Sequence, residues 1–153
     1  MNYFLECVYS FIGSICFGII FNIQGRKLFY SGLGGALSQG AYIAMGLIVK
    51  DDITRYLFAT IITAIYAEVL ARIEKTPATV ILVPSIIPLV PGGMMYYTME
   101  YCILGENSKF INMLLETLGV AGALAMGILV VSSGNKLMKV AARKRRKLIA
   151  FRK

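Results

Sequence analysis

ILVPSIIPLVPGG, residues 81–93, is the stretch that decides how this chain folds. It is apolar enough to lie in a bilayer, yet it holds Pro84, Pro88 and Pro91 followed by Gly92 and Gly93. Proline in a helix interior costs about 3 kcal/mol, because it deletes a hydrogen bond and strikes the preceding turn. Glycine costs about 1 kcal/mol relative to alanine. The pattern predicts a membrane helix broken at its centre. Without N–H groups on the prolines, the carbonyls of Val80, Pro84 and Ile87 lose their helical partners. Gly92 and Gly93 then permit a turn, and Met94 begins a second half-helix. Bare backbone in hydrocarbon costs several kcal/mol, so the break is expected to face the bundle interior.

A broken span has two electrical ends. The first half-helix offers orphan carbonyls, suited to an ammonium group or cation. The second offers unpaired amides near Gly92, Gly93, Met94 and Met95, with a positive dipole end suited to a carboxylate. Discontinuous helices of this kind recur as substrate sites in secondary transporters. The following MMYYTMEYC, residues 94–102, brings Tyr96 and Tyr97 deep enough to offer hydroxyls to a cavity, while Tyr101 reads as an interfacial anchor. The plainer alternative is a kink packed against a neighbour, which usually needs one proline.

Composition agrees with a membrane location. Of 153 residues, 58% are hydrophobic and 16% charged, whereas soluble domains are nearer half apolar and a quarter charged. The net charge of +8 is concentrated: from Lys136 onward there are nine basic residues and no acid. Such a run beside a span is a topology signal that also touches anionic lipid. It carries neither aromatic interleaving nor a reader motif, so nucleic-acid binding is not expected. The chain has no histidine, which removes the usual general base and the commonest metal ligand. Cys7, Cys16 and Cys102 lack metal spacing and read as small packing residues. No cofactor, metal or enzymatic activity is expected. The N-terminus lacks a basic region and places Glu6 early, which argues against a cleaved signal peptide.

The fold expected is all-α: a polytopic membrane protein of about five transmembrane helices, with the fourth broken. A span needs about 20 apolar residues. The spans read as 3–22, 28–49, 55–73, 77–104 and 110–133, joined by the polar QGRK, KDDITR, EKT and GENSK. Residues 1–135 form one helical domain and 136–153 a basic cytoplasmic tail. With that tail inside, 13 of the 16 Lys and Arg residues fall on the cytoplasmic side, as the positive-inside rule requires. The N-terminus then lies outside, and the chain sits in the inner (plasma) membrane. Small and polar ridges at four-residue spacing are expected to pack the helices: Glu6–Ser10–Ser14–Gly18–Asn22, Gly32–Ala36–Gly40–Ala44, Thr60–Ala64–Glu68 and Gly119–Ala123–Gly127. Glu116 lies three residues before Gly119 on the same face. Intramembrane carboxylates are functional candidates by default, so Glu100, Glu116 and Glu68 are the candidates for proton coupling. For Glu68 the competing role is an ion pair with Arg72, four residues on.

FGIIFNIQGRKLFYSGLGGAL (17–37), YAEVLAR (66–72) and TPATVILVPSIIPLVPGGMMYYTM (76–99) resemble the threonine/serine exporter family. More narrowly, the chain resembles the small membrane-only subunit of its split members. The resemblance implies proton-driven export of small carboxylated metabolites: fused members export threonine and serine, and split members include a pair associated with succinate export. It also implies a larger partner subunit, with a soluble N-terminal part and its own membrane half. The signature falls here on Pro77, Thr79, Pro84, Pro88, Pro91, Gly92 and Gly93. The expected substrate-binding group is therefore Thr79, Pro84, Pro88, Pro91, Gly92, Gly93, Tyr96 and Tyr97. The expected partners are the larger subunit, membrane lipids, the metabolite and, through self-association, further copies of the chain. The alternative is a scaffold subunit whose broken span only packs against a transporting partner.

Overall fold

A computed structural model describes residues 2–150, with side chains through residue 137. Every regular element among them is helical: α1 (Tyr3–Ile20), α2 (Arg26–Gly46), α3 (Asp52–Ile73), α4 (Ala78–Ile86), a 3-10 turn (Ile87–Leu89), α5 (Gly92–Ile103) and α6 (Asn107–Ala150). These bounds follow the expected spans closely until the last, because α6 continues as helix well past residue 133. Part of the basic segment is thus carried on the same helix, and its side chains beyond residue 137 lie outside the described residues.

Tight polar turns separate the helices. Gly25 and Gly105 take φ of +70° and +72° between α1 and α2 and between α5 and α6, a conformation that costs glycine nothing. Before α3, Asp51 accepts a hydrogen bond at 2.9 Å from the Thr54 amide, the usual N-cap arrangement. The Thr54 hydroxyl and amide hold the Asp51 carboxyl below its ordinary 3.8. A lowered folded-state pKa means that the cap stabilises fully above the unfolded value and loses its effect as pH falls through the folded value. An Asp51→Asn variant should therefore melt below wild type at neutral pH and match it in strong acid. Thermal melts across pH check this, and a pH-independent difference would show that the charge contributes nothing.

The helices pack through small residues. Central α2 has α1 on one side and α3 and α4 on the other, while α3 bridges to α6. The fully or nearly buried positions of α3 are Ala59, Thr60, Thr63, Ala64, Ala67 and Ala71. Ile81 and Leu89 from the broken span and Val120 from α6 fill the remaining core. Lipid gives no hydrophobic drive for helix association, so close approach and satisfied hydroxyls take over. Thr60 and Thr63 donate to the carbonyls of Tyr56 and Ala59 at 2.7 and 2.8 Å. Large apolar side chains such as Phe4 and Ile20 point outward.

One expected ridge is displaced. In α2 the buried residues are Ser31, Gly32, Gly34, Gly35, Ser38 and Ala41, so of the expected ridge Gly32 is buried, whereas Ala36 and Gly40 are half-buried and Ala44 is exposed. The cause is that α2 is covered on two sides. A Cβ at Gly35 would overlap the Ser14 hydroxyl of α1, and one at Gly34 would overlap the Ser85 hydroxyl of α4. The same double coverage explains its composition. Among the described residues three helices (α1, α3 and α6) are long and apolar enough to cross a membrane, or up to four spans if the bent α4–α5 pair is one. With its glycines and serines, α2 has the length, 21 residues, but not the apolarity.

Candidate functional site

The break forms much as the prolines dictate. Pro84 sits inside α4 and is buried, which leaves the Val80 carbonyl without an amide four residues on. The Ser85 hydroxyl stands 2.7 Å from the Ile81 carbonyl and 3.1 Å from the Ser31 carbonyl of α2, tying the damaged helix to its neighbour. Pro88 lies within the 3-10 turn, after which α5 leaves α4 at a bend of 53°.

Three of the expected orphan groups are in fact satisfied. The Ile87 carbonyl accepts from the Val90 amide at 3.0 Å, because a 3-10 turn replaces the lost helical bond. On the amide side, Gly92 donates to the Val90 carbonyl at 2.7 Å and Met95 to the Pro91 carbonyl at 3.0 Å. Of the four amides expected to be unpaired, this leaves Gly93 and Met94 without a backbone partner among the described residues. The expectation that the whole break faces inward holds only in part. Pro84, Ser85, Leu89 and Pro91 are buried, but Gly92 and Gly93 are exposed, and a Cβ on either glycine meets nothing within 4 Å. Tyr96 and Tyr97 pack edge to face at 5.5 Å between ring centroids and are 66% and 49% exposed. The outward placement follows from the bend, which leaves α5 packed mainly on α6. Thr98 and Thr117 meet there at 3.2 Å between hydroxyl oxygens.

The sequence-derived residues do not converge on one cavity. Thr79 and Pro84 line a cavity of about 300 Å³ near Phe21 and Val83, and Pro88 lines a different one. Glu100 is half-buried on α5. The buried line of α6 runs through Thr117, Val120, Ala123 and Gly127, which leaves Glu116 exposed. The expected Glu68–Arg72 ion pair does not form. Arg72 instead donates to the Asn135 side chain of α6, and among the described residues the ion pairs are Arg55–Asp52 and Lys109–Glu106.

What sequence reasoning did not single out is the cavity beside Pro88. It measures about 380 Å³ and is lined by Glu6, Tyr9, Ser10, Gly13, Gln39, Ile87 and Pro88. Gln39 donates to the Glu6 carboxylate at 3.4 Å across the α1–α2 contact. One turn along α1 from Ser10, the Ser14 hydroxyl is buried without a hydrogen-bond partner. A carboxylate, an amide and a hydroxyl meet the broken backbone here, and among the described residues no lysine or arginine lines the cavity. That chemistry accepts a proton or a cation. The available signal was the Glu6–Ser10–Ser14 spacing, together with a glutamine in the middle of a span. Among the described residues, no three His, Cys, Asp or Glu side chains gather as a metal site.

A family profile described as "Threonine/Serine exporter, ThrE" matches residues 6–133. The chain belongs to the threonine/serine exporter family. This is a family of membrane transporters, consistent with the multi-pass helical fold. The match takes in Glu6, the whole broken span and all three other candidate glutamates. No curated protein and no solved structure matches this exporter-family chain.

Proposed function

We propose that the chain is the membrane subunit of a proton-coupled secondary exporter of small carboxylated metabolites, either threonine- or serine-type amino acids or a dicarboxylate such as succinate. It acts with a larger partner subunit, with α2 as the fifth span. The observation that carries this reading is the polar cavity at Glu6 and Gln39, set against the break at Pro88. The free Gly93 and Met94 amides at the positive end of α5 suit a cargo carboxylate. Gly93 is exposed, so the partner subunit would complete that half of the site. Coupling falls to a carboxylate in the spans: Glu68, Glu100 and Glu116 from the sequence, and Glu6 from its cavity. Metabolite profiling of the medium, with both subunits expressed or either one omitted, tests the proposal. Export that needs both supports it, while unchanged export without this chain would remove it from transport.

The proposed orientation places the N-terminus outside and the basic segment inside, in the inner (plasma) membrane. In a chain freed of Cys7, Cys16 and Cys102, single cysteines at Asp52 and Glu106 should react with an impermeant reagent from outside. Cysteines at Lys75 and Lys147 should react only after lysis. Labelling of the Lys75 position from outside would overturn the five-span arrangement.

A further inference from the structure

Glu68 and Arg72 stand between two cavities of unlike character. Towards the middle of the bundle, a cleft of about 460 Å³ runs between α3 and α6, walled by Ile61, Ile65, Val69 and Val130. Towards the end of α3, a second cavity of about 310 Å³ is lined by Lys75, Thr76 and Pro77. Both cavities share Glu68 and Arg72. Among the described residues no ion pair joins the carboxylate to the guanidinium, and Asn135 holds Arg72 at the cleft. From Ile61 to Arg72 the apolar wall extends about 16 Å along α3 at the helical rise.

We propose that this double cavity binds one phospholipid with a primary-amine headgroup. An acyl chain lies in the cleft against Ile65, Val69 and Val130. The phosphate meets Arg72 and Lys75, and the ammonium meets Glu68. The length of this apolar wall favours a lipid over a free amino acid, whose few atoms would leave the wall beyond Val69 uncovered. The position agrees as well: Arg26, Lys27, Arg72 and Lys75 lie at one end of the bundle, where headgroups would sit. This inference is independent of the export reading, because lipid binding needs neither cargo nor partner subunit.

The test is native mass spectrometry of the full-length chain in mild detergent, offered equal amounts of dioleoyl phosphatidylethanolamine, phosphatidylcholine and phosphatidylglycerol. Choline cannot donate a hydrogen bond, so the ethanolamine lipid should be retained about tenfold over the choline lipid, the scale of a charged hydrogen bond. Glu68→Gln should bring the two to parity. Arg72→Gln should weaken both, and Val130→Trp, which fills the cleft, should remove both without lowering the melting temperature. Equal retention by wild type, a preference for phosphatidylglycerol, or unchanged selectivity in Glu68→Gln would overturn the proposal. Displacement of the lipid by free serine or threonine would also overturn it, and would make the cavity a cargo vestibule.

Discussion

Replacing Gly35 with valine should prevent the bundle from assembling, while replacing Gly93 with alanine should leave it intact. At Gly35 even a Cβ would overlap the Ser14 hydroxyl and come within 2.8 Å of the Ser10 carbonyl oxygen. A backbone atom cannot swing aside as a side-chain tip can, so α1 and α2 would have to separate. Overpacking typically costs about 1–3 kcal/mol, and a clash with backbone falls at or beyond the upper end. Little folded protein should be recovered, with a much lowered melting temperature. Gly93 is the opposite case, since its φ is not positive and a Cβ there meets open space. Alanine in the first turn of α5 should be neutral or stabilise by up to about 1 kcal/mol. Any loss of export in Gly93→Ala then reports contact with something outside this chain, and co-purification of the larger subunit separates a lost partner from lost cargo. Normal export would mean that these glycines only shape the bend. Unfolding of Gly93→Ala would contradict the open surroundings described above.

Glu6→Gln should leave the chain folded and assembled yet lower gradient-driven export by about a hundredfold, the low end of what a positioned proton-transfer group contributes. Glutamine preserves the volume of the side chain and still accepts from Gln39, so the α1–α2 contact survives. What disappears is the ability to load and release a proton beside Pro88. The same change at Glu116, which is exposed and outside the buried face of α6, should have a smaller effect. Export in inverted vesicles with an imposed pH gradient, read alongside thermal stability, distinguishes the two sites. Full proton-coupled export by Glu6→Gln would place the coupling elsewhere and return attention to Glu68 and Glu100.

The prolines made the break legible before any coordinates, because the loss of an N–H is a property of the residue itself. Where the freed groups end up was not legible. The 3-10 turn that satisfies the Ile87 carbonyl and the bend that turns Gly92 and Gly93 outward both depend on what α4 and α5 pack against. The spans of α1, α3 and α6 were readable from apolar length. In α2, however, two small-residue lines compete, and the positions of Ser14 and Ser85 on its neighbours bury Gly34 and Gly35 while Ala36 and Gly40 stay half-buried. The Glu6–Gln39 pair was hidden for a related reason. The two residues are 33 positions apart, and their meeting is set by the register of α1 on α2. The Glu68–Arg72 spacing misled in the other direction, since a helical neighbour four residues away lost to Asn135 on α6.

The polarity of α2 has a consequence for how the protein is made. A helix so rich in glycine and serine partitions weakly into lipid by itself. Its Ser31 and Ser38 hydroxyls turn back to the carbonyls of Lys27 and Gly35, and its bare glycine surfaces are closed by α1, α3 and α4. Its place in the bilayer therefore belongs to the assembly rather than to the segment. Synthesised first, α1 is the surface on which α2 can be retained as a hairpin. Ser85, which comes later in the chain, then locks the far side.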